Sequence, residues 1–187
     1  MARNSSAVLL LLGGLLLGRP AGGAVLSPRA NAFDPCALLT RANIESVQAG
    51  QLVETKRSDH KGSLPTAQCF YNVSPFNRSV SLEVTRSDSA CAACANPRIA
   101  WMKAFHPPAE KPAARGDEES EREEHGRPRP LPGIGDEAFW VGSRMSGALY
   151  VLRGDSYFRL SLGGPESETV KIDKARRLAS ELLLRLP

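Results

Sequence analysis

The stretch Glu137-Ala138-Phe139-Trp140-Val141-Gly142, followed by Ala148-Leu149-Tyr150-Val151-Leu152-Arg153-Gly154-Asp155-Ser156-Tyr157-Phe158-Arg159-Leu160-Ser161-Leu162, decides the fold class. Only Gly154 and Asp155 separate its last two apolar runs, with glycine first, as a type II′ hairpin turn prefers. That turn sets Arg153 opposite Ser156 and fixes the register. Leu149 and Val151 then share one face with Phe158 and Leu160, while Tyr150, Leu152, Tyr157 and Arg159 share the other. Three antiparallel strands are predicted, over 137–142, 148–153 and 156–162. The first face reads as core. The second is open to three fates: solvent, a covering helix, or a binding surface.

Outward from this meander, Gly163-Gly164-Pro165 breaks the sheet and a helix is predicted over about 167–186. Ala175, Leu178, Ala179, Leu182, Leu183 and Leu186 recur at three- and four-residue spacing and make its apolar stripe. The cluster Lys171, Lys174, Arg176 and Arg177 reads as a solvated face. Toward the N-terminus, Ser79-Val80-Ser81-Leu82-Glu83-Val84-Thr85 alternates strictly, and Cys69-Phe70-Tyr71-Asn72-Val73 is a second strand. Extended structure begins at Leu52-Val53 and gives way to a polar loop over 56–65. A helix over 38–49 has Thr40 as N-cap and Gly50 as its stop. Asn96 and Pro97 start a short helix carrying Ile99, Trp101, Met102 and Phe105. The sum is an α+β fold: an antiparallel β-sheet with an N-terminal helix and a long C-terminal helix packed on it.

The chain of 187 residues, 42% hydrophobic and 24% charged, has room for one core of this kind. Residues 1–24 read as a signal peptide: Arg3 precedes an apolar run from Ala7 to Leu17, and Ala21, Gly22, Gly23 and Ala24 offer small residues for cleavage. Residues 25–33 read as a flexible leader and 34–187 as a single domain. A disordered charged insertion interrupts that domain over 107–132, where six prolines and twelve charged residues crowd together. The formal charge is +4 for the whole chain. Without Arg3 and Arg19 the basic count of 24 becomes 22 against 20 acids, leaving +2. That balance gives no sign of nucleic-acid binding, and no run after the signal peptide is long enough to span a membrane. The expected location is secreted or periplasmic.

In such a compartment cysteines tend to pair. Cys36, Cys69, Cys91 and Cys94 allow three connectivities, of which Cys36–Cys69 with Cys91–Cys94 is favoured. The first bridge would pin a helical segment to the sheet. Cys91-Ala92-Ala93-Cys94 is a CxxC, and two readings compete. A structural bridge is the plainer one; a redox dithiol with Cys91 attacking and Cys94 resolving is the sharper one. Ala95 in place of histidine excludes c-type haem attachment, and a zinc site lacks its second closely spaced pair.

Histidine occurs three times, at His60, His106 and His125, with no ligand spacing among them. Neither HExxH, GxSxG nor a phosphate-binding glycine loop occurs. Asp136 and Glu137 are neighbours that point to opposite faces of a strand, so they make no acid–base dyad. The sequence therefore points to a non-catalytic binding module. Tyr150, Tyr157 and Arg159 form the candidate binding face, because amphipathic rings and a guanidinium suit recognition. A protein or small ligand is the expected partner, a monomer the expected state, and no cofactor or metal is expected. The alternative is a thiol–disulfide redox protein using Cys91 and Cys94.

The order Asp34-Pro35-Cys36-Ala37-Leu38-Leu39-Thr40, then Cys69-Phe70-Tyr71, then Gly133-Ile134-Gly135-Asp136-Glu137-Ala138-Phe139 resembles a family of small exported bacterial proteins. These are mostly actinobacterial lipoproteins built on a domain of unknown function. The resemblance covers about residues 34–186 apart from the insertion. It implies an α+β fold, a bridge between residues matching Cys36 and Cys69, and no established chemistry. This chain departs from the family by lacking a lipobox, by its CxxC and by its insertion. A remoter similarity in layout is to PsbP- or Mog1-like domains.

Overall fold

Gly154 stands at φ +57 in a two-residue turn, and Arg153 pairs with Ser156 across it. From this hairpin the sheet grows in both directions. The computed structural model describes residues 33–60, 63–87, 95–108, 127–142 and 146–186. Its seven strands are β1 (Gln51–His60), β2 (Thr66–Ser74), β3 (Val80–Arg86), β4 (Arg129–Pro130), β5 (Glu137–Gly142), β6 (Gly147–Arg153) and β7 (Ser156–Leu162). They lie in the order β1-β2-β3-β7-β6-β5-β4, every neighbouring pair antiparallel. The helices are α1 (Arg41–Gln48), α2 (Pro97–Phe105) and α3 (Glu168–Arg185). The fold is α+β. The strands before residue 106 and those after 133 share one sheet, joined where β3 pairs with β7.

One face of the sheet carries Leu82, Val84, Leu149, Val151, Phe158 and Leu160, all essentially inaccessible. Helix α3 covers it with Ile172, Ala175, Leu178, Ala179 and Leu182, and α1 adds Ile44 and Val47. Each apolar side chain so covered contributes about 1.5–3 kcal/mol relative to exposure, which is why this layer fixes the register. Thr40 caps α1 in a reciprocal box: its Oγ1 accepts from the Asn43 amide at 3.2 Å, and its own amide donates to Asn43 Oδ1 at 3.0 Å. Arg185 then donates to Leu38 O and Asn43 Oδ1, tying the end of α3 to the start of α1.

The bridge Cys36–Cys69 forms, with Cα atoms 5.1 Å apart. Cys36 lies in a single 3₁₀ turn (Pro35–Ala37), so the bridge ties that turn, rather than α1, to β2. Tyr71 closes the same junction by donating its hydroxyl to Pro35 O at 3.1 Å. Cys91 and Cys94 lie outside the described residues, as do 1–32.

Several expectations change. The polar segment after Lys56 is no loop up to His60: β1 runs ten residues and pairs with β2 along its length, with one bulge at Val53. Its residues from Val53 onward are exposed, so no burial period marks it as strand. Helix α1 is shorter than 38–49, because Leu38 and Leu39 enter the core before the helix begins. Its left-handed terminal residue is Ala49, at φ 49, not Gly50. Gly50 is required for a different reason: a Cβ there would sit 2.6 Å from Ser74 O. Phe33, expected in the leader, packs on the core under the Arg86 guanidinium. The insertion's C-terminal end is ordered, since Arg129–Pro130 form β4 beside β5 and Leu131 is buried. Residues 109–126 lie outside the described residues.

The basic cluster of α3 is not wholly solvated either. Lys171 is buried, and Lys174 turns inward to donate to Glu166 Oε1 at 2.7 Å and Gln48 Oε1 at 3.3 Å. Glu166 also accepts from Arg78 at 2.9 Å. Gln48, fully buried, donates to Arg78 O at 2.7 Å and Gly163 O at 3.2 Å. This network locks α1, α3 and the β7–α3 connection together. Burial alone would raise the Glu166 carboxyl, but its hydrogen bonds and the Lys174 and Arg78 charges outweigh that and hold it below the ordinary value.

Candidate functional site

The second sheet face has no α3 over it. Asn96 starts α2 by accepting from the Arg98 amide at 2.8 Å, and Pro97 supplies the fixed φ of a first turn. The helix lays Trp101 and Phe105, one turn apart, onto Phe139, Tyr150, Leu152 and Tyr157. Phe105 stacks parallel on Phe139 at 4.7 Å and meets Tyr150 edge-on at 5.3 Å, while Trp101 lies 5.8 Å from the Tyr157 ring. Trp101 is 1% exposed.

An indole so deeply buried needs an acceptor, and Glu137 provides it. Trp101 Nε1 donates to Glu137 Oε2 at 2.6 Å, and His106 Nε2 lies 2.8 Å from Glu137 Oε1. Burial pushes the Glu137 carboxyl up, but the bonds from His106 and Trp101 and the charges of His106 and Arg98 more than offset it, so it sits below the ordinary glutamate range. Glu137 thus anchors both the middle and the end of α2. Asp136, its neighbour, serves the hairpin instead and accepts from the Gly154 amide at 2.7 Å.

Tyr150, Tyr157 and Arg159 do share this face. Tyr157 lies under α2, and the other two join a polar row across five strands. Ser58, Gln68, Glu83, Arg159 and Tyr150 are successive cross-strand partners on β1, β2, β3, β7 and β6. Ser58 donates to Gln68 at 3.0 Å, and Gln68 donates to Glu83 at 3.4 Å. Arg159 donates to Glu83 at 3.0 Å and to Tyr150 Oη at 3.1 Å. Each member meets its neighbour because direct opposition in a ladder brings side chains within about 5 Å. The row is polar and internally paired, exposed at Ser58 and half-buried from Gln68 to Tyr150.

Beyond its inner face, α2 presents Ile99 and Met102 outward, 58% and 47% exposed. They line a groove of about 420 Å³ with Arg98, Lys103 and His106. Chemically, this face offers apolar contact ringed by cations and a hydrogen-bonding histidine. Glu137 and His106 carry no joint signal in the sequence, since they stand 31 residues apart. His60 ends β1, and His125 lies outside the described residues. Among the described residues no group of three or more His, Cys, Asp and Glu side chains could hold a metal ion. No described helix is long and apolar enough to cross a membrane.

No family model matches the chain, and no curated protein does. Among solved structures, the crystal structure of a GTP binding regulator from Thermotoga maritima aligns with 80% of this chain and 93% of its own, at 13% identity and a TM-score of 0.37. A similarity at that score carries no argument about this chain.

Proposed function

We propose that the protein is an exported, non-catalytic binding module that recognises a partner through the outer face of α2. One observation carries the reading: α2 is apolar on both sides. Its inner side is satisfied by the sheet, yet Ile99 and Met102 remain exposed side by side on the outer one. An apolar pair left exposed on a helix already buried on its other side, and rimmed by polar residues, marks a contact surface. Arg98, Lys103 and His106 ring the pair, so the complementary surface is apolar and flanked by carboxylates. Tyr150 and Tyr157 form part of the floor under α2, and Arg159 braces Tyr150 from the polar row beside it, so these residues support the helix rather than make the contact. Export rests on the signal-peptide reading of residues 1–24, and the Cys36–Cys69 bridge suits an oxidising compartment.

Site-specific photo-crosslinking in the exporting cell tests this. A crosslinker at Ile99 should give a discrete adduct that Met102→Glu removes, while one at Leu184, exposed at 81% on α3, should not. Equal labelling from both positions overturns the reading.

A further inference from the structure

We infer that the outer edge of β1 is a self-association site, at which two copies pair antiparallel about a two-fold axis through Thr55 and join their sheets. Strand β1 ends the sheet, and its outer edge differs along its length. At Leu52 the edge is closed by α1: the Leu52 amide donates to Glu45 Oε1 at 2.9 Å, and Arg41 donates to Leu52 O. From Val53 to His60 no hydrogen bond from another described element closes it, and every side chain is exposed. A long open edge of this kind is a pairing template.

The side chains choose both partner and register. An axis perpendicular to the sheet keeps faces matched, so the axis must pass through a residue rather than between two. Centred on Thr55, the pairing places Glu54 opposite Lys56 of the second copy, twice by symmetry, with threonine facing threonine between them. Centred on Glu54, Lys56 or Arg57, it sets like charges opposite each other at the axis. Centred on Ser58, it sets Arg57 opposite Asp59 of the second copy, but those two already bond each other within each strand at 3.1–3.2 Å, so the Thr55 register is the one that gains a new charge pair. The same axis keeps both helix layers on one side of the joined sheet. A strand edge alone is smaller than a standard interface, so the dimer is weak and concentration-dependent. It replaces the monomer expected from the sequence.

Sedimentation of the full chain at about 10 and about 500 µM brackets the affinity of such small interfaces. The average mass should approach twice the monomer at the higher concentration only. Lys56→Glu should abolish the shift, and Glu54→Lys with Lys56→Glu together should restore it. Thr55→Cys should cross-link under mild oxidation, since directly opposed Cα atoms lie about 4.5–5.5 Å apart. Arg57→Cys should not, because its copies stand about 13 Å apart along the strands. A chain that stays monomeric throughout overturns the inference. So does a Lys56→Glu variant that dimerises like the parent, or equal cross-linking from both cysteine positions.

Discussion

Trp101 and Glu137, 36 residues apart, meet at 2.6 Å, the indole N–H donating to a carboxylate oxygen that also lies 2.9 Å from His106 Nε2. The contact fixes where α2 crosses the sheet. A helix of nine residues is too short to be stable by itself, so its presence depends on this anchor and on the rings beneath it.

Replacing Glu137 should therefore loosen α2 before it unfolds the sheet. Glu137→Ala removes the acceptor of a buried indole and should cost about 1–3 kcal/mol. Amide hydrogen exchange should show protection lost over 97–105 while β3, β6 and β7 keep theirs. Equal loss across the sheet would mean that α2 and the sheet unfold as one unit.

Acid should act through three carboxyls. Glu45, bonded by the Leu52 amide and Arg41, and Glu137 and Glu166 are all held below their unfolded value of 4.5. A depressed folded value means that the stabilisation is complete above about pH 4.5 and lost as pH falls through the folded values. The urea midpoint should be flat just above that point and drop as the pH falls below it. In Glu166→Gln the drop should be shallower, because one of the three linked groups is gone.

Reduction of Cys36–Cys69 opens a loop spanning a sequence separation of 33 residues. In the chain-entropy account this removes about 3–4 kcal/mol. Cys36→Ala with Cys69→Ala should lower the denaturant midpoint accordingly, with near-native circular dichroism in the absence of denaturant. An unchanged midpoint would show that the Tyr71 contact to Pro35 suffices to hold the 3₁₀ turn.

Gln48 is the buried polar residue with most to lose. Gln48→Leu keeps the volume but strands the carbonyls of Arg78 and Gly163 and removes an acceptor of Lys174. A loss of about 2–4 kcal/mol is expected, read as a shift in thermal midpoint.

What the sequence determined by itself is what local physics controls. The Gly154-Asp155 turn set the β6–β7 register, the stripe from Ala175 to Leu182 located α3, and Thr40, Asn96 and Pro97 marked helix starts. Each signal lies within one element and follows from the period of a helix or strand or from a single backbone constraint. Tertiary structure decided the rest. Beyond Leu52, β1 buries no side chain, so its polar run could not be told from a loop until β2 paired with it. The second sheet face stayed ambiguous because a short helix of low amphipathicity does not announce which side it buries; only the Trp101–Glu137 contact settled that α2, and not α3, lies there. His106 found Glu137 across 31 residues, and Lys174 found Gln48 across 126. Polar partners at such separations follow no period. They become neighbours only once burial of the apolar face has fixed every strand in register.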